Sequence, residues 1–335
     1  MLALVTGATG FVGANVVEAL NLAGWQVRAL HRRSSSLAAL QGLAFEPAIG
    51  DVTDLRSLRS AMAGCDAVFH VAGVTADYWN QDVARLHAVN VQGTRNVVEA
   101  ALAAGVAGLV HTSSQAALGF ADDDRPVDES HQYNLPPDVY PYGYSKHLAE
   151  LEVQRAVEQG LHAVMVNPTV VLGPRDVTLT NSQIIIEVQR GRVPLVPPGG
   201  VNVVDAVDLG RGHLQALEKG RPGERYLLAG HNISNLELTR RIAEILAVSP
   251  PKGTIPRSLI PPLGALLDGA NRLLPRRLPL SGDVLRFGSR FIYANNSKAV
   301  AELGFATTPL QETIERAVTW LRAEGQLAAS STPPR

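Results

Sequence analysis

A doubly wound α/β fold is predicted by three features of the chain: a parallel sheet with helices on both faces, followed by a smaller C-terminal lobe. Strand and helix patterns alternate to about residue 170, the strands short and rich in Val, Leu and Ala. The first strand runs into a glycine-rich turn, Leu4-Val5-Thr6-Gly7-Ala8-Thr9-Gly10-Phe11-Val12-Gly13, and a helical pattern begins at Phe11. After Gly173-Pro174 the character shifts, with prolines clustered at 194–198, 250–262 and 275–279.

The turn makes the first half Rossmann-type. Gly7 permits a tight turn, Gly10 lets the backbone approach a phosphate, and Gly13 lets the helix pack close to the sheet. A helix N-terminus offers unpaired N–H groups and a partial positive charge to an anion. The spacing is GxxGxxG, a variant of the GxGxxG dinucleotide fingerprint. Expected contacts to a dinucleotide are Gly7, Thr9, Gly10, Phe11, Val12 and Gly13. Residues 1–174 then form a dinucleotide-binding domain, with the chain returning to its sheet near 201–204 and 225–228. Residues 175–200 and 230–325 form a substrate lobe, and 328–335 a disordered tail.

The second strand, Trp25 to Leu30, should end in an acid if the adenosine ribose carried a free 2′-hydroxyl. It ends instead in His31-Arg32-Arg33-Ser34, and the nearest downstream carboxylate is Glu46. Two guanidiniums and a hydroxyl suit a 2′-phosphate. NADP is therefore the expected cofactor, with Arg32 and Arg33 as its discriminators; NAD remains open, and a solvated basic loop is the alternative.

A second constellation reads Tyr142-Gly143-Tyr144-Ser145-Lys146. Pro141 is placed as a first-turn proline, so Tyr142 to Gly160 should be helix, with Tyr142 and Lys146 on one face and Tyr144 off it. An ammonium so placed stabilises a phenolate, which a phenol of ordinary pKa about 10 needs in order to act as acid or base near neutrality. Upstream, the strand Ala107 to His111 ends in Thr112-Ser113-Ser114, at the carboxyl edge of the sheet where open α/β folds bind ligands. Ser114 is the better placed to hydrogen-bond a carbonyl oxygen; Ser113 is as readily a capping residue.

With these motifs the chain resembles the extended short-chain dehydrogenase/reductase (NAD-dependent epimerase/dehydratase) family, from residue 1 to about 325. Supporting segments are Gly50-Asp51-Val52, Phe69-His70-Val71-Ala72-Gly73, Asn90-Val91-Gln92-Gly93-Thr94 and Asn167-Pro168-Thr169-Val170-Val171-Leu172-Gly173-Pro174. The resemblance implies that Asp51 and Val52 flank the adenine and that Val71, Ala72 and Gly73 line the cofactor cleft. It puts Pro168 and Val171 against the nicotinamide, makes Ser114, Tyr142 and Lys146 the catalytic set, and has Asn90 support the lysine. The run from His111 to Gly119, Ala149-Glu150, Asn296-Ser297-Lys298-Ala299 and Glu302-Leu303-Gly304-Phe305 are similar to the dihydroflavonol-4-reductase-like and hopanoid-associated sugar-epimerase-like branch. One departure matters. Nucleotide-sugar epimerases of the family carry an Arg-Asp pair before a His-Val-x-Asp segment, the arginine binding the diphosphate. Here the stretch reads Val201-Asn202-Val203-Val204-Asp205-Ala206-Val207-Asp208, without that arginine or histidine.

Composition narrows the function further. The 335 residues are 46% hydrophobic, enough for a full core, and 30 basic against 31 acidic residues leave a net charge of −1. No basic face asks for nucleic acid. A single cysteine, Cys65, excludes an internal disulfide and fits a reducing compartment. The nine histidines are too scattered for a local metal pair, so no metal is expected. The first strand starts at residue 2, leaving no room for a signal peptide, and a cytoplasmic location is expected. No apolar run reaches membrane-spanning length. The nearest approach, Ser258 to Leu274, contains Pro261-Pro262, Gly264 and Asp268 and is flanked by Arg272, Arg276 and Arg277. It reads as a substrate-lobe helix or as a helix lying on a membrane surface.

The expected reaction is NADP-dependent reduction of a ketone or aldehyde, Tyr142 giving the proton, Ser114 orienting the oxygen and Lys146 fixing the ribose. Thr75, Tyr78, Trp79, Ser114, Gln115 and the 175–200 segment are the expected substrate wall. Two rivals stand beside it: a nucleotide-sugar epimerase or dehydratase using the same Ser-Tyr-Lys set, and a non-catalytic dinucleotide-binding regulatory protein. A small-molecule partner is expected, and a homodimer is compatible with the chain.

Overall fold

The structure is a computed structural model that describes residues 1–75, 82–273 and 281–328. Its strands are β1 (Leu2–Thr6), β2 (Gln26–His31), β3 (Glu46–Ile49), β4 (Ala67–His70), β5 (Gly108–Thr112), β6 (Ala163–Pro168), β7 (Val170–Leu172), β8 (Leu195–Val196), β9 (Gly200–Asp205), β10 (Arg225–Leu228), β11 (His231–Ser234), β12 (Gly253–Thr254) and β13 (Phe291–Ile292). The helices are α1 (Phe11–Leu22), α2 (Leu55–Met62), α3 (Val83–Leu86), α4 (Gly93–Ala104), α5 (Pro141–Glu158), α6 (Gln183–Gln189), α7 (Ala206–Lys219), α8 (Asn235–Leu246), α9 (Ile260–Leu273), α10 (Gly282–Gly288) and α11 (Leu310–Ala323).

Seven parallel strands form the main sheet in the order β10-β6-β5-β4-β1-β2-β3. This is the Rossmann order with one strand added, and its switch point falls between β1 and β4, where ligands enter such sheets. Alternation along β1 shows the two covered faces. Ala3 and Val5 pack with α1 and α7, while Leu4 packs with α2, α4 and α5. Full burial on both faces explains why these strands read as apolar runs.

Only one of the two expected returns reaches this sheet. β10 pairs with β6 through Arg225↔Met165 to Leu228↔Pro168 and so occupies its free edge. Residues 201–204 lie in β9 of a second sheet, parallel to β7 and β13 and antiparallel to β11. With β10 on that edge, the strand pairs instead with β7, one residue beyond the end of β6. A separate core built from α6, α8 and α11 packs around this second sheet.

A second difference concerns residues 299–305, placed by sequence in the substrate lobe. Ala299, Leu303 and Phe305 are buried in the core of the main sheet, the Phe305 ring against Gly212 of α7. Of the tail, Ala328 exchanges hydrogen bonds with the Gln189 side chain. The tail beyond it (329–335), like Tyr78, Trp79, Arg276 and Arg277, lies outside the described residues.

Candidate active site

β1 delivers the glycine turn. Gly7 has φ +68°, which side chains rarely adopt, and a Cβ there would lie 2.6 Å from the Ala72 backbone. A Cβ on Gly13 would lie 2.1 Å from the Gly7 carbonyl oxygen, so α1 sits as close to the turn as backbones allow. The N-terminus of α1 has Gly10 at its cap, no side-chain cap and no acid in its first turn. Its orphan N–H groups thus have neither a capping side chain nor a first-turn carboxylate competing for them, which fits an anionic phosphate.

At the end of β2, Arg32 and Arg33 are exposed, and neither guanidinium has an ion-pair partner among the described residues. Glu46 is held by Arg28 at 3.1 Å. Asp51 accepts from the Thr53 N–H and hydroxyl, both at 2.9 Å, while the carbonyl of buried Val52 accepts from Asn96 at 2.9 Å. Pro168 and Val171 are buried, and Val71, Ala72 and Gly73 run along the switch point.

α5 starts at Pro141, as the first-turn proline predicts, and carries Tyr142 and Lys146 one turn apart. Ser114, extended at the end of β5, caps the following turn and stands beside the Tyr142 phenol. Burial raises the phenol's pKa, and the serine partly offsets it. Lys146 donates to the Thr112 carbonyl at 2.9 Å, and desolvation lowers its pKa to about 8 against the opposing pull of Glu150. Its Nζ stands 3.0 Å from where a Gly73 Cβ would lie, so the loop after β4 passes directly over the lysine.

Asn90 does not hydrogen-bond the lysine. It sits in a π-helical stretch, His87–Gln92, between α3 and α4. Its amide nitrogen donates to the Val74 carbonyl at 3.0 Å and to Ser145 Oγ at 2.9 Å, and its Oδ1 accepts from the Val74 N–H at 2.9 Å. Ser145 in turn donates to the Tyr142 carbonyl at 2.7 Å. Asn90 therefore ties the loop after β4 to the helix bearing the tyrosine. The two adjacent serines diverge. Ser113 Oγ points inward to the Glu150 carboxylate at 2.5 Å, leaving Ser114 against the phenol.

Sequence reasoning missed the buried support. Glu150, one turn beyond Lys146, accepts from Ser113 and from Asn167 at 2.6 Å, with Arg225 Nη2 3.2 Å away. Its spacing from Lys146 was the available signal. His70 bridges Thr6 at 2.8 Å and Thr94 at 3.0 Å, and the Thr94 hydroxyl donates to the Asn90 carbonyl at 2.6 Å. The His111 ring lies 5.1 Å from that of His70, and both its nitrogens are buried without partners among the described residues.

The expected substrate residues are dispersed. Thr75 is exposed, whereas Gln115 is buried and donates to the Tyr293 carbonyl at 3.0 Å, tying the lobe down. Beside Tyr142 stands an aromatic group in which Tyr140 is joined by Phe120 and Phe287, neither of which sequence singled out. The Tyr140 ring is 6.0 Å from that of Tyr142 and 4.9 Å from that of Phe287, and Phe120 touches both Tyr140 and Phe287. Three cations that could replace the absent epimerase arginine are engaged elsewhere. Arg175 pairs with Glu18 at 3.0 Å, and Arg190 and Arg192 pair with Glu187. Asn202 is buried between Thr169, Gly230 and Asn232.

A Rossmann sheet with a phosphate-shaped turn beside a Ser-Tyr-Lys set defines a class of enzymes that bind nicotinamide dinucleotides. The chain belongs to the NAD dependent epimerase/dehydratase family, whose model matches residues 3–229, that is, to the extended short-chain dehydrogenases/reductases and their dihydroflavonol-4-reductase-like branch. It is 36% identical over 96% of its length to a Synechocystis sp. protein provisionally named a dihydroflavonol 4-reductase, covering 94% of that protein. It is 34% identical to sterol demethylase protein B of Methylococcus capsulatus, over 98% of this chain and 100% of that one. The crystal structure of a nucleoside-diphosphate-sugar epimerase from Pseudomonas aeruginosa is 30% identical, with a TM-score of 0.81 over 98% of this chain and 99% of that one.

Proposed function

We propose that the protein is an NADP-dependent reductase that converts a ketone or aldehyde into its alcohol. The observation that carries this reading is the convergence of the Ser114 hydroxyl, the Tyr142 phenol and the Lys146 ammonium beside the Gly7–Gly13 turn. A nicotinamide dinucleotide held by the Gly7–Gly13 turn would supply the hydride to the carbonyl carbon. Ser114 holds the carbonyl oxygen by hydrogen bond while Tyr142 donates its proton to that oxygen. Lys146 lowers the cost of the resulting phenolate by its charge.

Preference for NADP is supported by Arg32 and Arg33, which stand exposed without carboxylate partners among the described residues, where a ribose-binding acid would sit. Preference for an uncharged carbonyl over a nucleotide sugar is supported by the engaged state of Arg175, Arg190 and Arg192 and by Val201 in the arginine's place. The reductase name borne by the Synechocystis relative points the same way. The test is NADPH oxidation against a panel of ketones and aldehydes, run beside calorimetry of UDP and UDP-glucose on the NADP-loaded protein. Stoichiometric oxidation with no nucleotide-sugar binding is expected; micromolar binding of UDP-glucose would overturn the reading in favour of an epimerase.

A further inference from the structure

Helix α9 presents an apolar stripe to solvent. Leu259, in the turn before it, and Leu263, Leu266 and Leu273 fall on one face, exposed by 49%, 36%, 68% and 87%. Pro261 and Pro262 occupy the first turn, where no N–H is needed, and are exposed beside them. The opposite face is fixed. Ile260 and Gly264 are buried, and Asp268 accepts from the Gly282 N–H at 2.9 Å and pairs with Arg286 at 2.7 Å. The stripe is therefore held outward by packing against α10.

The segment that bears it is strongly cationic. From Lys252 to Arg290 the sequence has seven basic residues and two acidic ones, a net of +5 in a chain whose total is −1. Both acids, Asp268 and Asp283, are already paired with Arg286. Lys252, Arg257 and Arg290 are exposed. Leucines on one face, flanked by Lys252, Arg257 and Arg290 with no ion-pair partner among the described residues, are the elements of a helix that lies in the interface of an anionic bilayer.

We propose that α9 docks the protein on an anionic lipid surface, with Leu259, Leu263, Leu266 and Leu273 entering the acyl boundary. A second copy of the chain is a poorer occupant, because a two-fold contact would set this cationic patch against itself. Docking would bring the lipid surface within one helix of the site, since Phe287 of α10 touches Tyr140 beside Tyr142. The contact does not depend on which reaction the site performs.

Co-sedimentation of the full chain with vesicles decides the matter, comparing phosphatidylcholine alone with phosphatidylcholine containing one third phosphatidylglycerol. Binding is expected to the anionic vesicles only, weakening as salt rises. It should fall by about tenfold or more in Leu263→Asp/Leu266→Asp. Leu266→Ser, at the more exposed site, serves if the double variant does not reach the wild-type melting midpoint. A wild-type protein that stays in the supernatant, or variants that pellet equally, would overturn the proposal. So would a dimer in solution that these substitutions dissociate while no vesicle is bound, which would assign the face to a second copy.

Discussion

His70 donates to Thr94 and cannot do the reverse. The single Thr94 hydroxyl proton is committed to the Asn90 carbonyl at 2.6 Å, so its oxygen can only accept from His70 Nε2 at 3.0 Å. His70 Nδ1 must then accept, and the Thr6 hydroxyl donates to it at 2.8 Å while taking the Ala72 N–H at 3.2 Å. Every proton in the chain Ala72–Thr6–His70–Thr94–Asn90 is thereby assigned. The neutral Nε2–H form is the one histidine state that fits, in keeping with burial that pushes the His70 pKa down to about 3.

Acid should destabilise the fold early. His70 and His213 have pKa values lowered to about 3 and about 4, and His111 is lowered well below normal by burial beside His70 and Lys146. Each is neutral when folded but takes a proton below about pH 6.5 when unfolded, so stability is complete above that pH and falls as pH drops. Each contributes up to about 1.4 kcal/mol per pH unit in that window. Urea midpoints between neutrality and acid should show it. Because neither His111 nitrogen has a hydrogen-bond partner among the described residues, His111→Leu should flatten the slope and cost little at neutral pH. An unchanged slope would contradict this assignment.

Tyr142→Phe should leave folding and dinucleotide binding intact and lower turnover by about 10²–10⁴, the usual worth of a proton donor. Tyr144→Phe is the control, since Tyr144 packs against Tyr133 and His147 on another face of α5. Steady-state kinetics of both variants with one carbonyl substrate make the comparison. Equal losses would remove Tyr142 from the proposed role.

The lysine sets an alkaline limit. With Lys146 lowered to about 8, its ammonium is lost as pH rises through that value, and reduction should decline with it. Glu150 opposes the drop by its charge, so Glu150→Gln should lower the lysine's pKa further and move the alkaline limb of kcat/KM to lower pH. A limb shifted upward, or left in place, would show that another group governs it.

Arg32→Ala together with Arg33→Ala should erase most of a preference for NADPH over NADH, weakening NADPH alone. Loss of a charge-assisted phosphate contact is worth about 1.5–3 kcal/mol, or about ten- to a hundredfold in Kd. Fluorescence titration with both cofactors measures it. Equal affinities in the unmodified protein would refute the assignment.

The parts of the site visible in sequence are those set by short-range rules. The Gly7–Gly13 turn and the Tyr142–Lys146 turn each lie within one supersecondary unit, and spacing alone places their atoms. The Thr6–His70–Thr94 bridge joins three elements distant in sequence, and no local pattern distinguishes its members from ordinary polar core residues. Phe120 and Phe287, which complete the aromatic group around Tyr140, escaped notice for the same reason. An apolar strand such as 200–205 declares itself as a strand but not which sheet edge will accept it, and that choice was made by β10.

The return of Ala299, Leu303 and Phe305 to the main sheet makes the chain a clasp closed by its own last quarter. The stretch shared with the family, 3–229, ends before these side chains, so that stretch excised alone would keep its turn and its tyrosine but leave a bare trough along α7. Fragments or domain swaps cut near residue 230 should come out insoluble.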